Sequence, residues 1–153
     1  MGDESDGREP EGPRLIYLVK QLEAVIRALL DAVLRARRIT VTQYTALTVL
    51  EQHPEQSAAQ LARHSFVSAQ AMDGVVRALE ASGLIERHRD PDNRRRLVIS
   101  LTPAARSLLA EIRPDVARIE TAAFGSLGPQ DRATLAHWLG EGRYGLERFR
   151  RGT

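Results

Sequence analysis

The sequence contains no cysteine. Disulfides, thiol catalysis and thiolate redox sensing are excluded together. No run approaches 18 apolar residues, so no transmembrane helix is expected. The opening MGDESDGREPEGP has no apolar stretch of the kind a secretory signal needs. A cytoplasmic setting away from any membrane is therefore the expectation. Lysine is almost missing too, since only Lys20 among 22 basic residues is one. Arginine suits bidentate contacts to bases and phosphates, although codon composition accounts for most of such a bias. The histidines, His53, His64, His88 and His137, show no metal-ligand spacing. There is no Gly-rich phosphate loop and no nucleophile–base spacing. Neither a metal, a cofactor nor an enzymatic function is expected.

What remains is a chain of 153 residues, 42% of them apolar, enough for one compact subunit. The net charge is only +2 but is unevenly spread. Residues 1–13 hold five acids against Arg8, a balance of −4, which leaves +6 on the other 140 residues. The Gly/Pro-rich acidic start reads as a disordered tail. The basic body suits a polyanionic partner.

Apolar residues from Leu15 to Val33 recur at helical steps, and Ile16 and Leu30 widen the face beyond one core stripe. Arg35, Arg37 and Arg38 suit the C-terminus of that helix. Thr40 with Gln43, and Ser57 with Gln60, form two capping boxes. They predict a helix to about Gln52, burying Tyr44, Leu47 and Leu50, and a short one to about Arg63. Ser68 caps a third helix to Ala81, with Met72, Val75, Val76 and Leu79 inward and Gly83 as a left-handed stop. Two strands follow, Leu84 to Arg89 and Leu97 to Leu101, with Leu97, Ile99 and Leu101 alternating against Val98, Ser100 and Thr102. Thr102-Pro103 starts a long helix that Pro114 should kink or split. Gly128-Pro129 starts the last helix, whose later part is interrupted by Gly140, Gly142 and Gly145. Leu135, Trp138 and Leu139 are its apolar anchors, with Trp138 and Phe124 read as core or dimer-contact residues.

Helix, short helix, turn, helix, strand, basic turn, strand is the order of a winged helix-turn-helix. The fold class expected is mostly α with a small β-hairpin wing and a helical dimerisation region. The helix after the turn fits a major groove. Its outward residues are Ser68, Gln70, Ala71, Asp73, Gly74 and Arg77. Gln70 can pair with adenine, Asp73 can accept from cytosine, and Arg77 can reach guanine or phosphate. Ala71 and Gly74 permit close approach. Ser57 and Arg63 are candidates for positioning on phosphates. The turn Asp90-Pro91-Asp92-Asn93 projects Arg94, Arg95 and Arg96 toward the flanking minor groove, where negative potential favours arginine. The competing reading of the wing is a solvated tip whose charges pair with Asp90 and Asp92. A winged-helix module that binds protein and not DNA is the alternative function. The small, polar and cationic outward face argues against it.

Residues 40–106 resemble the MarR family of winged-helix transcription regulators. The resemblance rests on Thr40/Gln43, Ser57 to Leu61, LEASGLIER from Leu79 to Arg87, DPDNRR from Asp90 to Arg95, and Leu101-Thr102-Pro103. With the flanking helices it covers about residues 14–150. It implies a homodimer formed by N- and C-terminal helices, a palindromic double-stranded DNA operator, repression, and a small aromatic or anionic effector. It also implies a division into an acidic tail (1–13), a dimerisation helix (14–38), a DNA-binding lobe (39–102) and C-terminal dimerisation helices (103–150). Two positions depart from the family. Asn93 stands where the aspartate of the wing's aspartate-x-arginine is usual, which leaves open how Arg95 is held. Ala105 stands for a usual glycine, a harmless change in a helix.

Overall fold

A computed structural model describes residues 14–152, so the acidic tail read in the sequence lies outside the described residues. The chain runs α1 (Leu15–Arg35), α2 (Val41–Gln52), α3 (Ala58–His64), α4 (Ala69–Ala81), β1 (Ile85–Arg89), β2 (Leu97–Leu101), α5 (Pro103–Phe124) and α6 (Pro129–Arg151). It divides into two compact units, one up to Arg113 and one from Pro114 onward.

In the first unit both capping boxes form. Thr40 Oγ1 accepts from Gln43 N at 3.1 Å while Gln43 Oε1 accepts from Thr40 N at 2.9 Å. Ser57 and Gln60 repeat the exchange at 3.2 and 3.0 Å. Each box satisfies donors that a helix N-terminus otherwise leaves without partners. The core then gathers one stripe from each helix: Leu47 and Leu50, Leu61 and Ala62, Met72, Val76 and Leu79, and Ala105, Leu109 and Ile112. Tyr44, also expected inside, is only half-buried. Its hydroxyl pKa is raised, chiefly by burial, with Arg113 opposing and Glu51 adding.

Three helices in this unit end in the same way. After α4, Gly83 N donates to Glu80 O at 3.0 Å and Leu84 N to Leu79 O at 2.9 Å, with Gly83 at φ 72°. This is the paired C-terminal bonding that a left-handed residue permits. The same pair follows α3, with Phe66 at φ 56°, and α1, with Arg38 at φ 58°. Neither is glycine, so although the sequence places both helix ends, it does not mark the left-handed residue at either.

β1 and β2 pair antiparallel from Ile85↔Leu101 to Arg89↔Leu97. Ile99 N also donates to Gln56 O at 2.8 Å, which makes a one-residue bridge on the other edge of β2. Burial along β2 does not follow the alternation of its sequence. Val98 is 0% exposed and Leu97 is 42% exposed. Val98 and Ile99 are consecutive and both buried, so β2 is covered on both faces at its middle. Simple alternation describes a strand covered on one face only. Thr102 closes the base of the hairpin, donating from Oγ1 to Gly83 O at 2.7 Å and accepting from Ala105 N at 3.3 Å.

The second unit holds the end of α5 and all of α6. Arg132 ties them, pairing with Glu120 at 2.7 Å and donating to Phe124 O at 3.1 Å. Pro114 does not split α5, and the three glycines do not interrupt α6. Favourable groups offset the glycines in part. Asp131 sits in the first turn and Arg148, Arg150 and Arg151 in the last, each matching the helix dipole. Arg148 also lies over the Tyr144 ring, 5.8 Å from its centre. Yet α6 buries no residue. Trp138 is 65% exposed, so it is not a core anchor within this chain.

Candidate nucleic-acid interface

The helix α4 presents Ser68, Gln70, Ala71, Asp73, Gly74 and Arg77 together on its exposed side. Burial of Met72, Val76 and Leu79 fixes that side, because residues three and four apart share a helix face. Ser68 Oγ accepts from Ala71 N at 3.1 Å, so its oxygen caps the helix while its O–H can still donate outward. Beyond its own helix backbone and chain neighbours, a Cβ built on Gly74 meets no atom of the described residues within 4 Å. Arg77 folds back along the helix, its Nε donating to Asp73 O at 3.3 Å.

Behind this face a fork holds helix to wing. Arg87 on β1 grips Glu80 on α4, with Nη2 to Oε2 at 2.6 Å and Nε to Oε2 at 3.1 Å. The hydrogen bond from Arg87 holds the Glu80 carboxyl below its ordinary pKa, and Glu80 raises that of Arg87. Asp73 lies close enough to add to the latter effect. This pair joins α4 to the wing, and the sequence reading missed it. Its only linear trace is two opposite charges seven positions apart across a helix stop.

The tip of the wing consists of two turns in series. Asn93 N donates to Asp90 O at 3.2 Å, then Arg96 N to Asn93 O at 2.8 Å. Each first residue locks its turn with its side chain: Asp90 Oδ1 accepts from Asp92 N at 2.9 Å, and Asn93 Oδ1 accepts from Arg95 N at 3.2 Å. The departure at Asn93 is thus accommodated, since an amide oxygen accepts here as a carboxylate would. Arg94 and Arg95 stand exposed at the apex. Arg96 does not. It pairs with Asp90 at 3.2 Å and donates to the Gln60 side chain. One of the three tip cations therefore follows the paired reading.

The positioning candidates divide too. Ser57 is half-buried and occupied as a cap, whereas Arg63 is exposed in the last turn of α3. Beneath them Gln56 is buried, with Nε2 donating to His53 O at 2.8 Å and Oε1 2.6 Å from His64 Nδ1. This network fixes the α2–α3 connection. Among the described residues no group of histidines and carboxylates could hold a metal, and no helix is long and apolar enough to cross a membrane.

The MarR family model matches residues 39–97, from two residues before α2 to the first residue of β2. The HTH-type transcriptional repressor Rv2887 of Mycobacterium tuberculosis is 37% identical over 92 residues. That alignment takes in 60% of this chain and 66% of Rv2887. The solved structure of Rv2887 in complex with salicylic acid superposes with a TM-score of 0.67 at 29% identity, covering 86% of this chain and 97% of that one. A MarR family transcriptional regulator from Silicibacter pomeroyi superposes with a TM-score of 0.80 at 26% identity, covering 86% of this chain and 89% of the other. Those relatives are regulators, and their winged helix-turn-helix is the arrangement found here. The chain belongs to the MarR family.

Proposed function

We propose that this chain is a dimeric, sequence-specific repressor that binds double-stranded DNA at a palindromic operator in the cytoplasm. The observation that carries the reading is the outward face of α4. It is small, polar and exposed among the described residues, and it stands beside a hairpin that ends in Arg94 and Arg95. An α-helix fits the major groove, where Gln70 reads adenine, Asp73 reads cytosine and Arg77 reads guanine or phosphate. Ala71 and Gly74 admit the helix closely, and the empty space about Gly74 supports this. Ser68 and Arg63 set the register on phosphates, which carry no sequence information directly, whereas Ser57 serves as the cap of α3. Arg94 and Arg95 enter the flanking minor groove. Residues 14–38 and 103–150 form the dimerisation region. A two-fold pair of helices then reads half-sites about 10 base pairs apart.

The effector is a small aromatic acid. Salicylic acid in the Rv2887 structure supports this class. Such a ligand acts only by binding one arrangement of the dimer better than another. Neither catalysis nor a cofactor has a part in the reading.

Selection of bound sequences from random duplex DNA tests it. A palindrome should be enriched. Gln70→Ala and Asp73→Ala should change which bases are preferred, by about 1–3 kcal/mol of discrimination per good contact. Ser68→Ala should weaken all sequences alike. No enrichment at all would favour the protein-binding alternative. An unchanged base profile in both variants would move recognition away from α4.

A further inference from the structure

Arg96 carries the same charge as its two neighbours and a different geometry. Its side chain is 37% exposed and that of its partner Asp90 14%, so the pair is partly withdrawn from water. Its other terminal nitrogen donates to Gln60 Oε1 and lies 3.5 Å from Glu55 O. Gln60 Oε1 is the same oxygen that accepts from Ser57 N at the cap of α3. One guanidinium thus spans 36 residues of sequence, from the root of the wing to the N-terminus of α3. Asp90 and Arg96 also close the wing through the backbone, with Asp90 N donating to Arg96 O at 2.9 Å. A guanidinium makes such a bridge because its planar fork holds several donors at fixed angles. An ammonium offers one mobile point charge.

We infer that Arg96 is a positioning residue: it braces the wing against the cap of α3 and so aims Arg94 and Arg95, without itself contacting DNA. The inference rests on the DNA-binding reading above for its consequence, and on the Asp90–Arg96–Gln60 bridge for its substance.

The test compares the full-length parent with Arg96→Ala, Arg96→Lys, the double variant Arg94→Ala/Arg95→Ala, and the triple alanine variant. Binding to the selected operator duplex is measured across a range of salt. Removing one phosphate contact lowers the slope of log affinity against log salt by about one. The double variant should lower it by about two on that rule. Arg96→Ala should weaken binding in the parent and add nothing in the double variant, because a brace has no effect once the groups it aims are gone. Arg96→Lys should fail as alanine does. A triple variant about one slope unit below the double would overturn the inference, as would full binding by Arg96→Lys.

A second measurement needs no DNA. Amide exchange from Asp90 to Arg96 should quicken in Arg96→Ala while the unfolding midpoint of the α2–α4 core stays put. If the double variant binds like the parent, the DNA reading of the wing fails, and exchange alone decides. Unchanged protection from Asp90 to Arg96 would then reject the brace.

Discussion

The helices α2 to α4 and the helix α6 have similar apolar patterns and opposite fates. Leu47, Leu61, Met72 and Leu79 are each at most 1% exposed. On α6, Leu139, Leu146 and Phe149 are 46–74% exposed. The front of α1 resembles α6, since Leu18, Leu22, Val25 and Leu29 follow a 4–3–4 spacing along one stripe and are all exposed. Periodicity reports which side of a helix is apolar. It does not say whether the cover comes from the same chain. The first group is a core that each chain completes alone. The second is left exposed among the described residues, and in the dimer proposed above it is the second copy that covers it.

The largest expected effect lies in the core. Leu79→Ala removes a side chain that is 1% exposed, at the end of α4 next to the hairpin. It should cost about 2–5 kcal/mol, as truncations that leave cavities do. Urea unfolding of the parent and variant would measure it. A loss below about 0.5 kcal/mol, the usual range at exposed sites, would mean that this end of α4 is not packed as described.

The exposed stripe should matter to assembly. The parent should scatter light as about twice the 17.0 kDa chain mass, with an unfolding midpoint that rises with concentration. Val25→Glu together with Leu29→Glu places two charges in the proposed interface, where neither finds a designed partner. That variant should scatter as a single chain while keeping its helical content. A parent that is already monomeric at micromolar concentration would erase the distinction between the two groups of helices.

The sequence disclosed what depends on near neighbours. Thr40/Gln43 and Ser57/Gln60 exchange bonds across three residues, and Gly83 marks its own left-handed turn, so these boundaries were legible. Phe66 and Arg38 adopt the same left-handed conformation without glycine, held there by the bonds their turns make. Nothing in either side chain announces that. The alternation of Leu97, Ile99 and Leu101 with Val98, Ser100 and Thr102 does not reveal that Val98 and Ile99 are both buried, because alternation assumes one covered side. The outward set on α4 was legible from the buried stripe alone. The role of Arg96 was not, because its acceptor Gln60 is remote in sequence and a run of three arginines looks uniform. From local cost alone Pro114 reads as a kink or a split and the glycines of α6 as interruptions, yet α5 runs unsplit past Pro114 and α6 is continuous.

The smallest effect concerns the Glu80–Arg87 fork, which is exposed and so contributes little at neutral pH. Its sign is nevertheless fixed. Arg87 lowers the pKa of Glu80 in the folded protein below the ordinary 4.5, so the carboxylate is favoured by folding. The contribution is present above the unfolded value and is lost as pH falls through the folded one. Arg87 remains charged throughout this range. Glu80→Gln should therefore lower the unfolding midpoint slightly at pH 7, and the gap from the parent should close as pH falls through the lowered pKa of Glu80. A gap that persists in acid would show that Glu80 acts through packing or the amide-like geometry of its contact, and not through charge. A midpoint equal to the parent's at every pH would show that the fork adds no net stability, in contrast to the buried stripe of Met72, Val76 and Leu79 on the same helix.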